Sequence, residues 1–310
     1  MTSEAEVCGL GEEINEELLH SLSQPPPLEG IDIETPAASP FDFVVLLSID
    51  GLRKDAVGTA TPVMKSLMNR GVWAEDARTI GHSHTLPSHA SMVSGVDIGV
   101  HGINFNAFRR GFGRIRFPTI FKIASLANLE VGMFVAKRKL ELLDDTGGAL
   151  DFQVGGMFCS KVVRSASNFI RSKKRGIAFV HFSEPDAAGH LYGWMSWRYR
   201  KAVTTADQCV GDLLSLIEQR VDQKRTLFIV TSDHGGFGKT HGAHRDENKR
   251  IPWIAYSPAL GASVIARPIS TMDTAATVLQ ALGLPQARRS EGHAVMELMG
   301  PKPSALSVAN

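Results

Sequence analysis

The chain has 310 residues, of which 43% are hydrophobic and 21% charged, with a formal net charge of +1 at pH 7. That length suits one large α/β domain or two smaller ones, and the composition is that of an ordinary globular protein. So small a net charge excludes a bulk electrostatic case for a nucleic-acid or membrane-surface partner. The three cysteines, Cys8, Cys159 and Cys209, are odd in number, widely spaced and in no CxxC arrangement. They argue against a disulfide framework and against a thiolate zinc site, and they are expected to be buried or incidental thiols. The start of the chain is acidic (Glu4, Glu6, Glu12, Glu13, Glu16, Glu17) and lacks a basic stretch followed by an apolar run. No segment approaches the roughly 20 apolar residues of a membrane span, so the expected location is cytoplasmic.

Residues 1–40 turn from acidic to proline-rich and read as an arm, with Glu12 to Leu22 able to form a short helix; 41–300 read as the catalytic domain and 301–310 as a tail. Phe43 to Ile49 (FVVLLSI) is a continuous apolar run suited to a central parallel strand buried on both faces. It ends in Asp50, where open α/β sheets place ligands, although a lone Asp there also serves as a turn former or cap. Thr61 to Asn69 reads as a helix capped by Thr61 with Pro62 at its first position, and Gly71 ends it. Val72 to Thr79 reads as one strand. In His84-Thr85-Leu86-Pro87-Ser88-His89, Pro87 suits a first helical turn and Ser88 to Ser94 continues it. Thr85 would then sit at a helix N-terminus, where unpaired N–H groups and the helix dipole favour anions. Between Asn104 and Phe117, Arg109, Arg110, Arg114 and Arg116 lie among Gly and Phe. They form either a solvated loop or a basic rim for an anionic substrate, in which case Arg109→Ala and Arg114→Ala raise its Michaelis constant.

Farther on, Thr119 to Leu129 reads as helix, Glu130 to Ala136 as strand, Leu150 to Val154 as a short strand and Val162 to Ser172 as helix. Gly176 to Phe182 (GIAFVHF) is a buried strand ending in Ser183-Glu184-Pro185-Asp186, with His190 close behind. Ser196 to Gln219 carries apolar residues at helical spacing. Arg225 to Thr231 is another buried strand, followed by Asp233-His234 and then by His241 and His244. Ile251 to Tyr256 reads as a strand with Pro252 near its start, and Ser270 to Leu282 as a helix with Gly283 as C-cap.

Strands alternating with helices predict a three-layer α/β sandwich whose central, mostly parallel sheet is flanked by helices. Strand ends and one loop then deliver Asp50, Asp186, His190, Asp233, His234 and His241. Each alone is an ordinary structural residue; their joint placement is not. A mixed Asp/His set without cysteine suits zinc, with manganese or iron as alternatives. Six ligands exceed what one catalytic ion takes and divide between two, which together clamp the attacking and leaving oxygens of a displacement. Threonine is a poor nucleophile until a cation lowers the pKa of its hydroxyl, so Thr85 and the ligand set need each other.

Five segments, SIDGLR (48–53), HTLPSHASMVSG (84–95), EPDAAGH (184–190), SDHGG (232–236) and THG…RIPWIAYSP (240–258), resemble in order and spacing the type I phosphodiesterase/nucleotide pyrophosphatase branch of the alkaline phosphatase superfamily. The resemblance implies one zinc held by Asp186, His190 and His241, with His241 fitting the pattern better than His244. It implies a second zinc held by Asp50, Thr85, Asp233 and His234. Thr85 would attack phosphorus and form a phospho-threonine, which water activated at the first ion would hydrolyse. Many members have Asn where this chain has Ser88, so a serine hydroxyl or backbone N–H groups would have to help hold the phosphoryl oxygens. The implied substrate is a small phosphate ester, processed as a diester or, on the same site, as a monoester or phosphonate. A non-catalytic protein that keeps the fold is the alternative from another class, and the oligomeric state is left open.

Overall fold

The computed structural model describes residues 39–108, 114–242 and 244–299. The expected N-terminal arm with its Glu12 to Leu22 helix, Arg109 and Arg110 of the basic loop, and the 301–310 tail lie outside the described residues.

The apolar run Phe43–Ile49 forms β1, and all seven of its residues are buried. Its side chains alternate between two cores, as the two-residue period of a strand requires. Val44 and Leu46 pack with Ala90, Val93, Phe121 and Val278 on one face. Phe43, Val45, Leu47 and Ile49 pack with Leu67, Val162, Phe169 and Val210 on the other.

Around β1 stand β2 (Val72–Ala74), β4 (Glu130–Val135), β5 (Asp151–Val154), β6 (Gly176–Phe182), β7 (Thr226–Thr231), β9 (Trp253–Tyr256) and β10 (Ser263–Ile265). The eight-stranded order is β10-β2-β9-β7-β1-β6-β4-β5. Every pairing is parallel except those of β9 with β2 and β7, so the mostly parallel sheet is as expected. A small second sheet runs β11-β3-β8, from Ile269–Ser270, Ala77–Arg78 and Arg250–Ile251.

The helices form the outer layers. They are α1 (Pro62–Arg70), α2 (Thr85–Ser94), α3 (Ile120–Leu126), α4 (Cys159–Ser172), α5 (Glu184–Tyr192), α6 (Trp197–Glu218) and α7 (Asp273–Ala281). Residues of α2, α3 and α7 line the first core, and those of α1, α4 and α6 the second. Among the described residues no helix is long and apolar enough to cross a membrane.

Four local expectations change. The strand expected over Val72 to Thr79 is two: β2 pairs with β9, and β3 changes sheet to pair with β8. The Ile251 to Tyr256 strand breaks at Pro252, which has no N–H to give a ladder. Thr61 precedes α1 but its side chain does not cap it; the N–H groups of Val63 and Met64 go instead to the Asp207 carboxylate on α6. Glu184 to Tyr192 is a helix, as Pro185 in its first turn and Glu184 and Asp186 beside it permit.

The cysteine expectation is overturned. Cys159 and Cys209 form a disulfide, with Cα atoms 6.1 Å apart, between the first residue of α4 and the middle of α6. The pairing was hidden because it spans 50 residues and depends on α4 packing beside α6.

His101 supplies a pH dependence. It is buried, its Nδ1 accepts the Ile103 N–H at 3.0 Å, and so its Nε2–H donates to Ser91 Oγ at 3.0 Å. Burial lowers its pKa from 6.5 to about 4. The native ring therefore stays neutral where the unfolded ring takes a proton. This share of stability is complete above pH 6.5 and is lost as the pH falls toward about 4. The loss should be on the order of 3 kcal/mol. Urea titrations between pH 7 and 4.5 should show a shallower pH slope for His101→Gln; an unchanged slope would assign the effect to other groups.

Candidate active site

β1, β6 and β7 end in register: Ser48 lies opposite both His181 and Thr231. The residues that follow the three strands therefore meet at one edge of the sheet. Asp50 follows β1, Asp233 follows β7, and Asp186 lies on the first turn of α5 behind β6. Gly51 is the pivot. Its φ is +70°, and a Cβ there would come within 2.9 Å of the Asp186 Cα, so only glycine lets these two segments approach so closely. Its N–H donates to Asp233 Oδ1 at 3.1 Å, while the Asp186 N–H donates to the Asp50 carbonyl at 3.0 Å.

All three carboxylates are buried, and so are His234 and His241; His190 stands at the mouth with its side chain 45% exposed. Each of the three imidazoles gives its Nδ1–H to a backbone carbonyl: His234 to Gly235, His241 to Ser83 and His190 to Lys239. A carbonyl can only accept, so the Nε2 lone pair of each ring is left for a ligand, the arrangement usual for metal-binding histidines.

Asp50 Oδ1, Asp186 Oδ1, Asp233 Oδ2 and His234 Nε2 are buried without a hydrogen-bond partner. His234 Nε2 is 3.5 Å from Asp50 Oδ1 and 3.3 Å from Asp233 Oδ2. Asp186 Oδ1 is 3.4 Å from His190 Nε2 and 4.0 Å from His241 Nε2. Ligands about 2.0–2.2 Å from a tetrahedral zinc stand about 3.3–3.6 Å from one another, so the spacing around His234 Nε2 fits a small divalent cation. Two tight groups satisfy metal-ligand spacing, Asp50/Asp233/His234 and Asp186/His234/His241, with His234 in both. His190 and His244 are exposed and in neither, although His190 Nε2 lies beside Asp186 Oδ1.

The electrostatics agree with that fit. Burial and the charge of Asp50 push the Asp233 carboxyl well above its usual range. Burial also opposes ionisation of Asp50, yet Lys137, His181 and His234 more than offset it and hold that carboxyl low. His241 is driven down to about 3 by burial and by His234, and His234 is lowered mainly by burial. Both rings are thus neutral, the form that binds a cation.

Thr85 is the first residue of α2 and is 1% exposed, with Pro87 in the first turn as expected. The Thr85 carbonyl accepts the His89 Nδ1–H at 2.7 Å, and His89 Nε2 takes the Ser48 hydroxyl at 2.8 Å. That ring also lies 3.6 Å from Asp233 Oδ2, so the Thr85 turn is fastened to β1 beside the ligand set. Ser88 is turned elsewhere: its hydroxyl accepts from Thr79 and faces the His82 carbonyl. Arg114 holds the Asp144 carboxylate at 2.6 Å and its carbonyl at 2.7 Å.

Sequence reading missed several residues. Lys137 bridges Asp50 Oδ2 and Asp186 Oδ2 at 2.6 Å each, and His181 Nε2 meets Asp50 Oδ2 at 3.0 Å. Asn106 Oδ1 accepts the Leu86 N–H beside Thr85 at 3.0 Å and the Lys139 ammonium at 2.8 Å. Trp194 donates from its indole to the Gly51 carbonyl at 2.9 Å and lies so close to Gly236 that a Cβ there would be 2.1 Å from the ring. It wedges the Gly51, Asp233-His234 and His190 segments together. Lys137 and His181 follow or lie on strands and had a positional signal; Asn106 and Trp194 had none. A separate cavity of about 740 Å³, lined by Arg53, Trp73, Glu247 and Arg250 among others, includes none of the ligand residues.

The sequence matches the family described as type I phosphodiesterase / nucleotide pyrophosphatase over residues 44–120 and 138–252. It is 26% identical over 270 residues to GPI ethanolamine phosphate transferase 1 of Gibberella zeae, covering 74% of this chain and 27% of that protein. It is 24% identical over 216 residues to ectonucleotide pyrophosphatase/phosphodiesterase family member 7 of Rattus norvegicus, covering 62% of this chain and 49% of that protein. The chain thus spans between about a quarter and a half of the length of these relatives. An inactive variant of murine ectonucleotide pyrophosphatase/phosphodiesterase 5, in complex with AMP, shares the fold with a TM-score of 0.67 at 14% identity, over 78% of this chain and 95% of that one. The family match spans both the Thr85 helix and the Asp186 and Asp233-His234 segments. With an alkaline phosphatase-like sandwich carrying them, the chain belongs to the type I phosphodiesterase/nucleotide pyrophosphatase family.

Proposed function

We propose that this chain is a two-metal hydrolase of small phosphate esters, with diesters preferred, zinc in both positions and a covalent phospho-threonine formed on Thr85. The observation that carries the reading is the set of four buried ligand atoms left without hydrogen-bond partners, with His234 within metal-ligand spacing of Asp50, Asp233 and Asp186. Leaving such atoms unsatisfied in a packed core costs about 1–3 kcal/mol each, more for charged groups, and a purely structural role gives nothing in return.

Bound divalent ions would supply Lewis acidity and lower the pKa of a coordinated hydroxyl. The remaining work falls to the chain. Thr85 Oγ forms the bond to phosphorus as the ester oxygen leaves, and water then displaces threonine from phosphorus. The first turn of α2 places partial positive charge beside the developing anion. Asn106 spends its carbonyl oxygen on Leu86 and Lys139, which leaves its amide nitrogen to donate to a phosphoryl oxygen in the role expected of Ser88. The Cys159–Cys209 bond favours an oxidising compartment over the cytoplasmic location expected from sequence.

Hydrolysis of a nitrophenyl phosphate diester against the matching monoester, by zinc-loaded protein with Thr85→Ala as blank, tests the reading. A diester preference of tenfold or more is expected. A monoester preference would reassign the chain as a phosphatase on the same site. The murine structural neighbour was solved with AMP, so nucleotide esters come next on the substrate panel.

A further inference from the structure

Three carboxylates share one buried cleft, and a cation stands among them. Lys137 lies two residues beyond β4, its side chain is 25% exposed, and its ammonium is 2.6 Å from Asp50 Oδ2 and 2.6 Å from Asp186 Oδ2. Those are not the oxygens that face His190, His234 and His241. The unpartnered atoms are the two Oδ1 atoms, one directed at His234 and the other at His190 and His241.

We propose that Lys137 is a positioning residue that couples the two ligand sets, holding the rear oxygen of one carboxylate from each and so fixing the direction in which the front oxygen is presented. The inference rests on the metallohydrolase reading.

An opposite effect has to be weighed, because an ammonium next to a ligand carboxylate also repels a bound cation. The division of labour between oxygens decides the balance. Lys137 takes no atom that His190, His234 or His241 faces, and without it the Asp186 carboxylate would have a rear oxygen to satisfy and would be free to rotate, while Asp50 would keep only its His181 contact. The loss is not symmetric. Asp50 Oδ2 keeps His181 at 3.0 Å, whereas the Asp186 Oδ2 contact is the one Lys137 makes from the β4 side. The set built on Asp186, His190 and His241 therefore depends on Lys137 more than the set built on Asp50, Asp233 and His234.

Zinc affinity measured by chelator competition on the full chain tests this without reference to turnover. Lys137→Met should weaken one of two zinc sites by about 10–100-fold, the usual effect of losing an outer-shell partner, and leave the other within about threefold. Lys137→Arg, which keeps both charge and donors, should recover most of the loss. If Lys137→Met melts without cooperativity, Lys137→Gln, too short to span both carboxylates, takes its place with the same expectation. Unchanged or tighter binding at both sites would overturn the proposal and make Lys137 an opponent of the ions. Equal weakening at both would overturn it too, as a general loss of packing. Failure of the unmodified chain to bind two zinc ions would instead sink the metallohydrolase reading on which it rests.

Discussion

Thr85→Ala is expected to lower turnover of a phosphate diester by about ten-thousand-fold or more, with zinc content and melting temperature close to those of the unmodified protein. The size follows from the role. Removing a nucleophile leaves only the part of catalysis that positions and polarises the substrate, and in other hydrolases that residue of activity is small. The small structural cost follows from the location. Thr85 opens α2, its carbonyl rather than its hydroxyl holds His89, and the change removes one hydroxyl and one methyl. Thr85→Ser should keep measurable turnover because it keeps the oxygen. Steady-state kinetics with parallel zinc analysis and thermal melting separate the possibilities. Retention of more than about one part in a hundred of the activity by the alanine variant would remove Thr85 from the nucleophile role.

Asp233→Ala is expected to lose at least one of two zinc ions and about a thousand-fold or more in turnover, the two losses appearing together. Asp233 contributes through both oxygens. Oδ1 collects the Gly51 N–H at 3.1 Å and the His234 N–H at 3.0 Å, which locks the strand ends, while Oδ2 is free toward His234 Nε2. The alanine variant therefore also strands two buried N–H groups, at about 1–3 kcal/mol each. Part of that is returned, because burial beside Asp50 makes ionised Asp233 costly. A moderate fall in melting temperature should accompany the loss of metal. Elemental analysis of dialysed protein beside kinetics makes the check. Two retained ions with activity within tenfold would show that Asp233 is not a ligand.

What the sequence revealed and what it hid follow from range. The bounds of β1 and β6 were legible to the residue because strands buried on both faces are continuous apolar runs with abrupt polar ends. Asp50, Asp186 and Asp233 were singled out because all three fall within four residues of the ends of such runs; any one alone reads equally as a turn former or cap. The Glu184–Tyr192 helix was obscured by its proximity to β6, although its Pro185 start signal was present. Asn106 and Trp194 could not be picked out, and Lys137 was passed over despite its place just after β4, because their importance lies in contacts across space: Lys137 to Asp186 over 49 residues, Asn106 to Leu86 over 20, Trp194 to Gly51 over 143. The Thr61 cap failed for the same reason, since Asp207 reaches α1 from 144 residues away at Val63. The Cys159–Cys209 bond needed the packing of α4 on α6 before it could be foreseen.

The placement of β1 has a consequence for how the chain is made. Among the described residues it is the first strand in sequence, yet its neighbours are β6 and β7, and Gly51 waits for an Asp233 that lies 182 residues later. At translation rates of about 5–20 residues per second, that interval lasts roughly 10–35 s. For most of it, until β6 is made, seven consecutive core residues with strong strand propensity have no native strand beside them, and such a segment is a candidate for pairing with another nascent chain. The strand that organises the finished sheet is thus the strand most in need of protection on the ribosome, and the ligand set is completed only after His241 has left the exit tunnel.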